Sequence, residues 1–204
     1  MREYRIYSVP TMDDISWDKL PCAPIDVYRW REGWTPRSEA KVVLVKDFGF
    51  VAHLTSEEDK PFARYTGFYD PVWNDSCLEF FVGFDNTKAD YLNIEMNPIG
   101  AYLIGFAPSR DGRKKVTEII ERPFPETAEI NPGKWSVTVA ISFEDIEKIY
   151  GLSKETFVSG YSFRGNFFKC GSEAPVVHYG MWNDTETAGP DFHVPAKFGK
   201  LVID

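Results

Sequence analysis

Cysteine is scarce in this chain. Cys22, Cys77 and Cys170 are widely spaced, and no CxxC, CxxCH or Cys/His cluster occurs. That argues against a structural zinc site and against covalent haem attachment, and it allows at most one disulfide within the chain. Long apolar runs are missing too, so no segment approaches a transmembrane helix and membrane insertion is not expected. The opening MREYRIYSVP lacks the apolar core of a signal peptide. The chain as given therefore reads as cytoplasmic, or as secreted or periplasmic if a leader was removed. Basic residues are outnumbered, 23 Lys and Arg against 31 Asp and Glu, for a net charge of −8. Such a surface repels phosphate backbones, which excludes nucleic acid as the expected partner. The one basic cluster, Arg110, Arg113, Lys114 and Lys115, flanks Asp111-Gly112 and reads as a solvated hairpin tip. Low-complexity linkers, charge blocks and repeats are absent, so residues 1–204 read as a single domain. Helical pattern is confined to Ser142–Tyr150, where Ser142 can cap and Asp145 follows three residues on. One short helix is too few for a doubly wound α/β fold.

Aromatic side chains are abundant: sixteen Phe, ten Tyr and six Trp make up 16% of the chain. Flat rings suit pleated surfaces. Strand-like runs cover Arg2–Val9, Ala40–Val45, Phe48–Thr55, Leu78–Phe84, Tyr91–Met96, Ala101–Phe106, Lys115–Glu121, Trp135–Ile141, Phe157–Phe168, Val176–Met181 and Lys200–Ile203. Turn chemistry separates them, as in Asp47-Phe48-Gly49, Asn97-Pro98-Ile99-Gly100 and Asn131-Pro132-Gly133. This spacing predicts an all-β fold, an antiparallel β-sandwich of jelly-roll or immunoglobulin-like type with one short helix.

Within strands, alternate side chains point to opposite faces. Leu78, Phe80, Val82 and Phe84 share one face, with Glu79, Phe81 and Gly83 on the other. Leu92, Ile94 and Met96 oppose Tyr91, Asn93, Glu95 and Asn97, while Tyr161, Phe163 and Phe167 oppose Ser162, Arg164 and Asn166. Several strands thus offer one apolar face and one carrying amides, carboxylates and guanidinium. Sugars need aromatic rings for their C–H faces and planar polar groups for their hydroxyls. Trp73, Glu79, Asn93, Glu95, Arg164, Asn166, Trp182 and Phe192 supply that inventory. Each has a plainer reading. Trp73 could plug the sandwich end, Glu79 could pair with Arg164, and Trp182 in a Gly-rich loop could be a lid. Met96, Met181 and His53 read as core residues, His53 as a satisfied buried histidine.

WNDSCLEFFVGF, YLNIEMNPIGAYL, GKWSVTVAISFEDI, GYSFRGNFFK and the closing FHVPAKFGKLVI resemble the family 9 carbohydrate-binding modules, from about Ala40 onward. The resemblance implies a β-sandwich without catalytic activity that binds mono- or oligosaccharide chain ends between two aromatic rings. Family members accompany xylanases, so a separate glycoside hydrolase is an implied partner and polysaccharide utilisation an implied setting. Trp73 matches the first aromatic wall and Glu79 the acid six positions later; Phe192 stands where relatives carry a second tryptophan. Arg164 occupies a glutamine position, Asn166 matches a polar residue two further on, and Asn93 or Glu95 replaces an arginine. No cofactor is implied; calcium, held by aspartates in some relatives, finds no counterpart in MDDISWDKLP. Two other classes stay open. A glycoside hydrolase would draw its carboxylate pair from Glu79, Glu95 and Asp75. A haem-binding sandwich module, related in architecture, would use Met96, Met181, His178 or His193.

Overall fold

The computed structural model describes residues 1–31, 33–122, 124 and 126–204. The described residues form fourteen strands, most of them within a residue or two of the expected ones. In chain order these are β1 (Glu3–Val9), β2 (Ala23–Ile25), β3 (Val27–Arg31), β4 (Ser38–Val45), β5 (Gly49–Ser56), β6 (Cys77–Gly83), β7 (Tyr91–Met96) and β8 (Tyr102–Ala107). They continue with β9 (Lys114–Lys115), β10 (Glu126–Asn131), β11 (Lys134–Ser142), β12 (Ser162–Gly171), β13 (His178–Met181) and β14 (Gly199–Ile203). The expected β-sandwich is present. One sheet runs β10-β11-β5-β4 and the other β14-β12-β6-β7-β8-β9, with β13 continuing beside β12 and β3 beside β13.

The sheets are mixed rather than purely antiparallel because β1 belongs to both. Its first half, Glu3–Ile6, runs parallel to Lys200–Ile203, and its second half, Tyr7–Val9, runs parallel to Val43–Val45. A strand that changes sheets closes one corner of the sandwich and ties the two ends of the chain together.

Two departures from expectation have clear causes. Of Lys115–Glu121 only Lys114–Lys115 is strand; Val116–Glu118 turns as a 3-10 helix, because Val116 and Ile120 both enter the core from one side, with Ile120 N–H donating to the Val116 carbonyl (3.0 Å). The strand expected from Phe157 begins at Ser162, since the chain turns at Lys154–Thr156 and again at Gly160, whose φ is +85°. β2, β3 and β10 were not legible as strands: they are edge elements with exposed polar faces, and β2 contains Pro24.

The helix α1 (Phe143–Tyr150) follows its signals. Ser142 Oγ accepts from Asp145 N–H at 3.1 Å, and Gly151 ends it in the left-handed region at φ 73°. Tyr150 anchors it, donating to the Val82 carbonyl (2.8 Å) and accepting from Leu92 N–H (3.1 Å). No helix among the described residues is long and apolar enough to cross a membrane.

Between the sheets lies a core of Leu78, Phe80, Val82, Leu92, Ile94 and Met96 against Val42, Leu44, Leu54, Val137 and Ile141. The faces pointing away from it are covered as well. Val43, Val45 and Val51 of the first sheet lie beneath Ile15, Trp17 and Leu20. There Trp17 stacks on His53 at 4.8 Å, and His53 Nδ1 is 2.8 Å from Thr138 Oγ1; the histidine is bonded as expected, but it is half-buried on the outer face rather than a core residue.

One polar cluster penetrates the sandwich. Lys169 is fully buried; its Nζ donates to the Cys170 carbonyl and to His178 Nε2, both at 2.9 Å, and lies 3.4 Å from Glu58 Oε2. Glu58 accepts further from Trp135 Nε1 (2.5 Å), Ser56 Oγ and Ser76 Oγ. Burial and the Lys169 charge push His178 down to about 4, so it is neutral around pH 7 and its Nδ1–H donates to the Val176 carbonyl. Every member has partners, which makes the cluster a bolt between loop and sheet.

Removing one ion of such a pair strands the other. Glu58→Ala is expected to cost about 3–5 kcal/mol in urea unfolding. Two of the histidines, His178 buried and His53 half-buried, set a further expectation. His53, like His178, is pushed down to about 4 from 6.5 by burial. At these two sites the unfolded chain binds more protons below 6.5, so their contribution to stability falls as pH drops from 6.5 toward 4. A melting temperature at pH 5, relative to that at pH 7, that is higher in His53→Gln than in wild type checks it.

Candidate functional site

The outward face of the second sheet is not an open polar surface. Phe81, Tyr91, Phe168 and Met181 on β6, β7, β12 and β13 form a second apolar core with Val72, Phe192 and Phe198, which loops lay across the strands. Glu79, Asn93 and Glu95 share that face and are buried within it. Where the covering loops part, a cavity of about 300 Å³ opens, lined by Trp73, Glu79, Glu95, Arg110, Arg113, Cys170, Ser172, Tyr179, Pro190, Phe192 and His193.

Four of the eight expected site residues, Trp73, Glu79, Glu95 and Phe192, line this one cavity. Trp73 sits on a 3-10 turn, Val72–Asn74, with its side chain 38% exposed over the opening. The turn is pinned by its own sequence. Asp75 is fully buried, and its Oδ2 accepts from the backbone N–H groups of Arg64 and Tyr65 (both 3.1 Å) and from Asn97 Nδ2 (2.9 Å). Asn97 Oδ1 in turn holds the Ile99 and Ala101 amides. From the other side, the Trp73 carbonyl accepts from Ser172 N–H (3.3 Å) and Cys170 Sγ (3.2 Å). Asp75 therefore holds the loop in place rather than facing the cavity.

Phe192 is 7% exposed, and one face is covered by Phe168 in a parallel stack at 4.1 Å and 13°. Tyr179 meets its edge at 6.2 Å and is the more accessible ring of the two. Only one side of the expected aromatic pair, Trp73, thus stands free.

The other four residues have different roles. Asn93 lies behind the floor, donating from Nδ2 to Glu95 Oε1 at 2.8 Å. Asn166 holds the chain after β13, donating to the Asn183 carbonyl (2.8 Å) and accepting its N–H (2.9 Å). Arg164 donates to the carbonyls of Lys88 and Asp90 beyond the other end of β12, so it does not pair with Glu79. Trp182 is 3% exposed in the main core against Tyr4 and Phe167, and it presses on Gly199, where a Cβ would come within 2.2 Å of its ring. The potential haem ligands do not converge. Met96 and Met181 lie in different cores, His178 is bonded to Lys169, and His193 Nδ1 is 2.7 Å from the Tyr91 hydroxyl. Among the described residues no group of three or more His, Cys, Asp or Glu side chains could hold a metal ion.

The hairpin tip is solvated as expected at Arg110, Lys114 and Lys115, but Arg113 departs from that reading: it is half-buried, and both arginines line the cavity. Arg113 reaches Glu95 because Gly105 on β8 has no side chain; a Cβ there would lie 2.6 Å from Asn93 Oδ1 and 3.3 Å from Arg113 Cδ. Arg113 Nη1 sits 3.6 Å from Glu95 Oε1, and Arg110 pairs with Asp191 at 2.7 Å. The signal was a basic cluster in an acidic chain. His193, foreseen only as a haem ligand, directly follows Phe192 and lines the cavity as well.

On the floor, Glu79 and Glu95 are direct cross-strand partners, 2% and 3% exposed. Burial pushes both carboxyls up, Glu95 to about 7 against the pull of Arg113, and Glu79 well above the carboxylate range because Glu95 also repels its charge. His193 is pushed down to about 3 by burial and the two arginines, so it is neutral. Buried polar atoms are left without hydrogen-bond partners here among the described residues: Glu95 Oε2, Asn93 Oδ1 and Arg113 Nη1. In the Lys169 cluster, by contrast, every group is satisfied. Unmet donors and acceptors around a cavity are what a polyhydroxylated ligand would complete.

Fold and cavity together define a β-sandwich of the ligand-binding kind, with a covered sheet face and one polar-floored opening. The carbohydrate-binding family 9 profile matches residues 10–203, and the chain belongs to that family. No curated protein sequence matches it. Among solved structures, a protein from Bacteroides uniformis proposed to bind carbohydrate is 21% identical with a TM-score of 0.80, over 100% of this chain and 99% of its own. A family 9 module from Caldicellulosiruptor kristjanssonii in complex with glucose is 14% identical at a TM-score of 0.69, over 100% and 96%. The same kind of module with cellotriose gives 14% and 0.67, over 100% and 94%.

The Asp75 clamp generates an expectation of its own. Asp75→Ala frees two backbone amides and Asn97, and should cost about 1–3 kcal/mol. Faster hydrogen exchange at Arg64 and Tyr65 than elsewhere in the loop would locate the loss.

Proposed function

We propose that the cavity binds a neutral mono- or oligosaccharide without chemical change, one ring resting on Trp73 and its hydroxyls meeting Glu79, Glu95 and Arg113. The observation that carries this reading is the coincidence of an exposed tryptophan with unpartnered polar atoms in a single cavity. An aromatic face takes the C–H side of a pyranose, and planar charged groups take its edge. The family supports it, as do the modules of similar fold that hold glucose and cellotriose. Phe192, backed by Phe168, is a supporting floor ring in this reading, and Tyr179 flanks it.

Hydrolysis is the less favoured chemistry. Its two carboxyls must flank the glycosidic bond, whereas Glu79 and Glu95 stand side by side on adjacent strands. By family resemblance, we also propose that binding serves a separate glycoside hydrolase acting on the same glycan.

Affinity should be modest, about micromolar to millimolar, because one ring and a few hydroxyls are immobilised. Calorimetry with glucose and cellotriose tests the proposal. Trp73→Ala is expected to weaken binding at least about tenfold, from the lost stacking area. Trp182→Phe should lower the melting temperature and leave affinity unchanged. Absence of binding by every glycan in a panel, or a Trp73→Ala protein that binds like wild type, would overturn it.

A further inference from the structure

Two acidic side chains facing one another across neighbouring strands, nearly excluded from water, cannot both carry charge at low cost. Directly opposed residues in an antiparallel pair hold their Cβ atoms about 4.5–5.5 Å apart. Glu79 and Glu95 occupy such positions on β6 and β7, and both open on the cavity. The family resemblance supplies a role for Glu79 alone; Asn93 or Glu95 stands where relatives carry an arginine.

We propose that Glu79 and Glu95 hold one proton between them when the site is competent, so that the floor offers a carboxylic acid donor beside a carboxylate acceptor, with Glu95 the residue that sets affinity and its pH dependence. This rests on the cavity being the sugar site and adds the chemistry by which it would recognise the ligand. A sugar hydroxyl both donates and accepts, so a donor and an acceptor side by side can engage one hydroxyl in both senses, or two neighbouring ones. Two carboxylates would offer acceptors only, and two acids would give up the stronger, charge-assisted bond.

The surroundings assign the roles. Glu95 Oε1 accepts from Asn93 Nδ2 at 2.8 Å and has Arg113 Nη1 3.6 Å away, so the carboxylate belongs on Glu95. Its Oε2 is buried without a partner and is free to accept from ligand. Glu79 accepts no hydrogen bond from a described residue, has Glu95 as its neighbour, and keeps the proton. The other groups around the pair are consistent with this. Arg110 is drawn toward Asp191, and His193 is neutral and bonded to the Tyr91 hydroxyl. Lys169 is committed to His178 and Glu58, and the thiols of Cys77 and Cys170 are pushed up by burial and stay protonated. Tyr179 and Ser172 are further polar residues of the lining.

The sign follows from Glu95. Below about 7 it is protonated and the charged acceptor is lost; above that it is ionised while Glu79 keeps its proton. Calorimetric affinity for cellotriose should therefore be at least about threefold tighter at pH 8 than at pH 5. Glu95→Gln should flatten that profile, and Glu79→Gln should keep the step, since the titrating group is still present. Carboxyl ¹³C NMR of glutamate-labelled, ligand-free protein provides a readout that needs neither binding nor a folded variant. One buried carboxyl should titrate near 7 while another stays protonated above it. Both carboxyls ionised by about pH 6 would overturn the proposal, as would a step that survives Glu95→Gln but vanishes in Glu79→Gln. If the NMR shows the shared proton yet neither glucose nor cellotriose binds at any pH, the sugar reading of the cavity falls, and the proposed contact with it.

Discussion

Burial of the second sheet on both faces is the constraint from which the site follows. β6 and β7 have no solvent-facing side: one face meets the other sheet, and loops carrying Val72, Phe192 and Phe198 cover the other. A polar side chain on the covered face must find a partner there, line an opening, or remain unsatisfied at a cost of about 1–3 kcal/mol. Asn166 and Asn97 find backbone partners. Glu79 and Glu95 line the opening. The hydrophobic layer that stabilises the sandwich thereby also dehydrates the carboxyls and raises their affinity for protons.

The covering loops depend on the strands in return. Trp73 is held from beneath by Cys170 and Ser172 on the β12 side and laterally by the Asp75–Asn97 clamp. A stacking surface on a turn would otherwise lose entropy on binding; one whose backbone is already fixed gives up less. On the opposite side Arg113 crosses β8 only because Gly105 leaves the space. The walls are loops, as binding residues often are, but each is tied to a strand position by a specific bond or gap.

Much of the fold was legible because period-two alternation reports directly on which side chains face the sandwich interior. Leu78 to Phe84, Tyr91 to Met96 and Trp135 to Ile141 form strands near the expected bounds, with the expected faces inward. The helix was legible from its cap. Edge strands β2, β3 and β10 were not, since an element half open to water needs no apolar alternation. At the site, Trp73, Glu79, Glu95 and Phe192 were found together, whereas Arg164 and Trp182 were not. Parity identifies a strand's face but not position along it. Arg164 shares the face of Phe168 yet lies four residues from it, toward the far end of β12. Trp182 lies just beyond β13, where alternation with Met181 turns its side chain into the core.

Arg110 and Arg113 show what parity cannot supply. A tip flanking Asp-Gly is normally solvated, and no local pattern tells whether it bends over a neighbouring strand. What decided it was remote: the buried carboxyl of Glu95 on β7, whose desolvation is partly offset by a guanidinium nearby. The offset is incomplete, since Arg113 stops 3.6 Å short of Glu95 and makes no hydrogen bond to it. Lys169 and Glu58 stand hardly closer, at 3.4 Å, but each is hydrogen-bonded by other groups, Lys169 to His178 and the Cys170 carbonyl, Glu58 by Trp135, Ser56 and Ser76. Two similar buried charges in one protein are thus treated differently, one satisfied from within and one left open at a cavity, and the proposed sugar site rests on that difference.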